Sequence, residues 1–195
     1  MSDGFSPDDL IACYRRGVFP MADSREDDFF YLVEPKMRGI IPLDGLHISK
    51  SMKKFRKKTH LRVTFDQDFA AVINACASNH DGTWISHSIE TLYQILHHQG
   101  DAHSVEVWDG EQLVGGLYGV TQGGAFFGES MFSKETNASK MALIFLVEHL
   151  NKRKFTLLDT QFLTDHLKSM GAIEITQAQY LNKLRGALEI EAQFD

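Results

Sequence analysis

From Ser104 to Met131 the chain reads as three strand-like runs parted by glycine-bearing turns, and this stretch limits the possible folds more than any other. Ser104 to Trp108 alternates apolar and polar residues, Asp109-Gly110 is a type I′ hairpin signal, and Gln112 to Val120 runs back. Gln122-Gly123-Gly124 then turns the chain into Ala125 to Met131. Such tight turns join antiparallel neighbours, so three antiparallel strands are expected. Asn137 to Leu150 follows as a helix, and Met141 to Val147 is apolar on every side, which predicts burial all round. Thr156 to Phe162 is a further strand, Asp165 to Met170 a short helix stopped at Gly171, and the apolar pair Ile173 and Ile175 completes the core. The sum is an α+β architecture.

The N-terminal part is organised differently. Ser6 to Arg16 reads as a helix: Ser6 caps it, Pro7 suits the first turn, Asp8 and Asp9 favour its positive end, and Gly17 stops it. An irregular acidic region from Asp23 to Asp28 and the apolar run Phe29 to Val33 come next. Pro35 and Pro42 bracket a turn-rich connection, which places a boundary between a small N-terminal domain, 1–40, and a larger one, 41–195. Ser49 to Lys58 is a short cationic helix with Met52 and Phe55 facing inward, and Phe69 to Ala77 and Ser88 to His97 are further helices.

The formal net charge of -6 argues weakly against a nucleic-acid partner, yet Lys50, Lys53, Lys54, Arg56, Lys57, Lys58 and Arg62 stand together with no acid among them. That patch makes a positive local field whatever the global sign, and Arg15 and Arg16 extend it. A solvated cationic face accounts for the composition equally well. Cys13 and Cys76 show no metal-ligand spacing and read as buried thiols of a reducing compartment. The nine histidines form no metal-ligand pattern, so no metal is expected. The polar, acidic N-terminus has no signal-peptide character, and no run approaches the roughly 20 apolar residues of a membrane span. A cytoplasmic protein is expected.

Two strands carry polar residues where a core strand prefers apolar ones. Residues two apart share a face, so Asp159 and Gln161 project together about 7 Å apart. Glu129 shares a face with Phe127 and Met131 on the same pattern. A carboxylate there requires a partner or a functional cavity, unless the strand is a wet edge. The glycines from Gly115 to Gly128 match no phosphate-binding loop and read as twist and turn positions.

Several blocks together resemble the leucyl/phenylalanyl-tRNA–protein transferase family: Tyr14-Arg-Arg-Gly-Val-Phe-Pro20, His47-Ile-Ser-Lys-Ser51, Gly82-Thr-Trp-Ile85 and His103-Ser-Val-Glu-Val-Trp108. Leu113-Val-Gly-Gly-Leu-Tyr-Gly119, Phe127-Gly-Glu-Ser-Met-Phe132, Asn137-Ala-Ser-Lys140 and Leu158-Asp-Thr-Gln161 continue the likeness, which runs from Leu10 to Leu184. The resemblance implies a small N-terminal domain and a C-terminal domain of acetyltransferase-like (GNAT-like) fold. It implies transfer of Leu or Phe, with Met also open, from Leu-tRNA or Phe-tRNA to proteins with N-terminal Arg or Lys, marking them for degradation under the N-end rule. It makes Asp159 and Gln161 the catalytic pair and Trp84, Leu117, Phe126, Leu143, Leu146 and Leu158 the pocket for the transferred residue, with Gly128 and Glu129 at its mouth. The cationic cluster from Lys50 to Arg62 becomes the tRNA contact. A monomer without cofactor is expected. The family's Trp-Trp-Ser-Pro-type segment is represented here by Tyr31-Leu-Val-Glu-Pro35, without its indoles.

The chemistry is consistent with those residues. An aminoacyl ester is already activated, and an α-amine of pKa about 7.7–8.0 needs only partial deprotonation and placement. Gln161 is expected to contact the attacking amine while Asp159 orients and polarises it. Two rivals remain in view. An acyl-CoA-dependent N-acetyltransferase requires a glycine-bearing pyrophosphate loop, whereas Phe132 to Asn137 has no glycine. A non-catalytic RNA-binding module explains the basic segment but not Asp159, Gln161 and Glu129.

Overall fold

The computed structural model describes residues 4–78 and 83–195. Its elements are α1 (Pro7–Arg15), β1 (Phe19–Met21), β2 (Tyr31–Val33), β3 (Met37–Ile41), α2 (Lys50–Lys58), β4 (Arg62–Phe65), α3 (Phe69–Ser78) and α4 (His87–Gln99). They continue with β5 (Ala102–Asp109), β6 (Gln112–Gln122), β7 (Ala125–Ser133), α5 (Ala138–Lys152), β8 (Leu157–Gln161), α6 (Asp165–Ser169), β9 (Ile173–Thr176) and α7 (Gln177–Leu188). A seven-stranded sheet runs in the order β4-β5-β6-β7-β8-β3-β9, and β1 and β2 pair separately. Every neighbour in the large sheet is antiparallel except β7 and β8, which run parallel because α5 carries the chain back between them.

Local chemistry fixes the helix ends as expected. Ser6 and Asp9 form a reciprocal capping box on α1, Ser49 caps α2, and Gly17 and Gly171 take positive φ after their helices. The first hairpin differs by one residue from its sequence signal. Asp109 pairs with Gln112, so Gly110 and Glu111 make the turn, and of these only Gly110 has positive φ (56°). A type I′ turn needs both corners there, so this is not one.

Six elements escape the sequence patterns: β1, β2, β3, β4, β9 and α7. β3 places Arg38 inside the sheet, between β8 and the edge strand β9, which no strand pattern predicts, and it crosses the expected boundary at 40/41. Ile173, expected in the core, is 46% exposed because β9 is an edge strand. α7 carries a second capping box, Thr176 with Gln179, a signal visible in the sequence.

The sheet separates two apolar clusters. One gathers Leu10, Tyr14 and Phe19 of the N-terminal region with Ile73, Tyr93, Tyr118, Phe127 and Leu184. The other packs α5, through Met141, Leu143, Leu146 and Leu150, against Leu117, Phe126 and Leu158, with Met52 of α2 and Leu167 of α6 at its border. Among the described residues no helix is long and apolar enough to cross a membrane.

Candidate active site

β7 and β8 pair only from Ala125↔Leu157 to Phe127↔Asp159 and then part. At the same level β7 slips its register against β6: Tyr118 pairs with Ser130 and Gly119 with Gly128, leaving Glu129 as an extra, bulged residue. Gly119 is required at this place, since a Cβ there would collide with the Phe127 carbonyl and the Phe126 ring. The bulge reverses the alternation, so Phe127 and Met131 lie on opposite faces of the sheet, in different clusters. The simple two-residue periodicity had put them together with Glu129.

A cavity of about 460 Å³ opens where the two strands separate. Trp84, Leu117, Leu143, Leu146 and Leu158 supply its apolar wall, and Gly128, Glu129 and Gln161 also line it. Two expected residues stand back from it. Phe126 is fully buried behind the wall in the cluster of Leu143 and Leu158. Asp159 is fully buried and reaches the cavity only through its neighbours. Gly82, from one of the quoted sequence blocks, lies outside the described residues.

The buried carboxylates each have the partners that burial demands. Arg38, 1% exposed, donates to both oxygens of Asp159, from Nε at 2.9 and 3.1 Å and from Nη2 at 2.6 Å. Its Nη1 donates to the Gly17 carbonyl at 3.0 Å, and its guanidinium is stacked between Phe19 and Tyr180. Tyr180 Oη donates to Asp159 Oδ2 at 2.6 Å. Burial works to discharge Arg38, but the charge and hydrogen bonds of Asp159, with smaller contributions from Tyr180 and Glu129, together outweigh it and hold its pKa raised. The periodicity pointed to a partner for Asp159 without identifying it, and Arg38 and Tyr180 are that missed pair.

Asp159 meets Gln161 at the backbone. The Gln161 N–H donates to Asp159 Oδ1 at 2.8 Å, and Gln161 is held at φ 61°, in the left-handed region. Its carboxamide nitrogen donates instead to Glu129 Oε1 at 2.9 Å. Asp159 therefore sets the position of Gln161 and does not polarise its amide directly. Glu129 also accepts from Tyr14 Oη at 2.7 Å and Tyr93 Oη at 2.8 Å, and the two phenols lie 2.5 Å apart.

Burial raises the Glu129 pKa to about 7, against the lowering effect of Tyr14, Tyr93 and Gln161 and with a further rise from the Asp159 charge. The folded protein thus keeps a proton on Glu129 up to about pH 7, whereas the unfolded chain releases it near 4.5. The stabilising contribution is complete below the unfolded value and is lost as pH rises through the folded one. Wild type is expected to lose about 3 kcal/mol more stability between pH 4 and 8 than Glu129→Gln, by urea titration at both pH values. Equal losses in the two proteins would contradict the assignment.

The cationic cluster splits. Lys50, Lys53, Lys54, Lys57 and Lys58 are exposed on α2, while Arg56 is committed to Glu148 of α5 by two hydrogen bonds of 2.8 and 3.0 Å. Arg62 lies on β4, bonds Gln67 and sits over the Trp108 ring. Among the described residues, Asp66, His103 and Asp195 come within metal-ligand distance of one another. In this arrangement His103 Nδ1 meets Asp66 Oδ2 at 2.7 Å and Nε2 meets the Gly100 carbonyl at 3.1 Å. Cys13 and Cys76 are free and buried, and burial pushes the Cys76 thiol up to about 12, which makes it unreactive.

Residues 40–185 match the sequence model of the leucyl/phenylalanyl-tRNA protein transferase family, and residues 3–35 match that of the family's N-terminal domain. A leucyl/phenylalanyl-tRNA–protein transferase of Hyphomonas neptunium is 54% identical over 197 residues, covering 100% of this chain and 76% of its own. One of Roseobacter denitrificans is 52% identical over 189 residues, covering 97% of this chain and 90% of its own. Among solved structures, FemX superposes with a TM-score of 0.55 at 12% identity, over 87% of this chain and 65% of FemX. That likeness concerns the fold alone.

Proposed function

From the chain's membership of the leucyl/phenylalanyl-tRNA–protein transferase family, enzymes that pass an aminoacyl group from tRNA to protein, we infer the finer reaction. It moves Leu or Phe, with Met as a third candidate, to the α-amine of proteins beginning with Arg or Lys, which marks them for degradation in the cytoplasm. The observation that carries this reading is an apolar cavity ending at a polar group of Gln161 and Glu129. Its wall of leucines and Trp84 suits an aliphatic or phenyl side chain. The strand order, an antiparallel trio followed by a helix and a parallel return strand, supports an acetyltransferase-like core for 41–195.

In this reading the aminoacyl side chain fills the cavity and its ester carbonyl lies near Gln161. The Gln161 carboxamide nitrogen is taken by Glu129, which leaves its oxygen to accept from the attacking amine. Glu129 faces the incoming cationic N-terminus as a buried acceptor. Asp159, neutralised by Arg38, fixes Gln161 in place. The ester is already activated, so the reaction itself calls for no cofactor, and a monomer carries the whole site.

The direct test is transfer of radiolabelled leucine from Leu-tRNA to a protein beginning with Arg, Lys or Ser. Label is expected on the first two only, and equal labelling of all three overturns the acceptor assignment. The lysines of α2 are proposed to hold the tRNA backbone. Lys53→Glu with Lys57→Glu, both exposed, should weaken Leu-tRNA binding at least about tenfold and reduce the salt dependence of log Kd by about two. Filter binding across salt concentrations checks this, and an unchanged slope counts against the assignment.

A further inference from the structure

Three buried side-chain atoms among the described residues have no hydrogen-bond partner: Tyr118 Oη, Thr160 Oγ1 and His166 Nε2. All three residues line the one cavity. Unsatisfied buried groups are rare in folded proteins and call for an explanation at each place. Their gathering here fits a ligand that brings polar groups along with its apolar side chain. Of the three, only the imidazole exchanges protons near neutral pH. Burial drives the Tyr118 phenol well above its ordinary value, and a threonine hydroxyl does not titrate in water.

The proposed reaction needs such a group. A bond forms between the acceptor's α-nitrogen and the aminoacyl carbonyl carbon, and the bond from that carbon to the ribose oxygen breaks. The nitrogen must lose one proton and the ribose oxygen must gain one. Asp159 is occupied by Arg38, Tyr180 and the Gln161 N–H, and Glu129 by Tyr14, Tyr93 and the Gln161 carboxamide. The carboxamide itself is a poor base. Resting on the cavity as the aminoacyl site, the geometry points to His166 as the catalytic group that takes the proton from the attacking amine on Nε2 and delivers it to the leaving ribose oxygen.

His166 stands on α6, just past the Thr164 cap, five residues beyond Gln161. Burial, with the Lys140 charge on α5, holds the imidazole below its ordinary value, which favours the neutral form that a base requires. Glu129 on β7 shares the cavity, and Asp165 and Lys168 flank His166 on its own helix. None of these is hydrogen-bonded to the ring.

The test compares wild type, His166→Ala and His166→Gln in single-turnover leucine transfer from Leu-tRNA to an Arg-beginning protein, from pH 5 to 8. Both variants are expected to lose about 100-fold or more in rate with Leu-tRNA affinity unchanged within about twofold. The acid limb of the log rate against pH should lose about one unit of slope, and added imidazole should restore part of the His166→Ala rate. Near-wild-type rates in either variant overturn the inference. So does a loss with unchanged slope and no imidazole effect, the signature of a packing role. Wild type that binds tRNA but transfers nothing to any acceptor defeats the functional reading itself, and the inference with it.

Discussion

Asp159→Ala is expected to abolish transfer and to lower stability by about 3–5 kcal/mol, because it strands the Arg38 guanidinium in the interior. Arg38 is 1% exposed and has no other carboxylate within reach among the described residues, only the Gly17 carbonyl and two aromatic faces. For a domain of this size the loss corresponds to roughly 10 °C in Tm. Loss of activity by unfolding must be separated from loss of the site. Arg38→Met combined with Asp159→Leu removes both charges, and apolar replacement of a buried pair is often neutral or stabilising. The double variant should regain most of the stability and none of the transfer, since nothing then holds the Gln161 backbone. Recovery of transfer would show that Asp159 is only a structural counter-ion.

Gln161→Gly carries the second large effect, and it falls on rate with little effect on stability. Gln161 already sits at φ 61°, where glycine is at ease, so the backbone is preserved while the carboxamide is deleted. The transfer rate is expected to fall about 10²–10³-fold, the usual cost of one preorganised hydrogen-bonding group at a reacting centre. Leu-tRNA affinity should stay within about twofold, because the cavity wall and α2 are untouched. Gln161→Asn tolerates the same φ but stops one methylene short of Glu129, and should lie close to the glycine variant. A rate within tenfold of wild type for Gln161→Gly would remove Gln161 from the chemistry.

Much of this arrangement was legible in sequence because it is local. The turn glycines set the strand runs of the 104–131 stretch, the all-round apolar segment of α5 declared its burial, and the polar residues of β8 stood out against it. The one-residue displacement of the first turn shows the limit of dipeptide signals, since register depends on how the flanking strands pack. The partners of the polar residues were not legible. Arg38 lies 121 positions from Asp159, on a strand whose only oddity is a charged residue at a buried place. Nothing in five residues distinguishes that from an exposed loop until the sheet closes around it. The bulge at Glu129 is similar: one extra residue reverses the faces beyond it, and the extra residue becomes the one that meets Tyr14, Tyr93 and Gln161. Phe126, which the family resemblance put in the pocket, stands behind it, fully buried in the cluster that also holds Leu143 and Leu158.

The central claim is that the cavity between the parting ends of β7 and β8 receives the transferred residue. Its most direct test is a crystal structure with a non-hydrolysable phenylalanyl-adenosine, in which the ester oxygen is replaced by an amide nitrogen. The account predicts the phenyl ring among Leu143, Leu146 and Leu158, with the linkage within hydrogen-bonding distance of Gln161. An analogue bound elsewhere on the protein, with the leucine-lined cavity still empty, would contradict it.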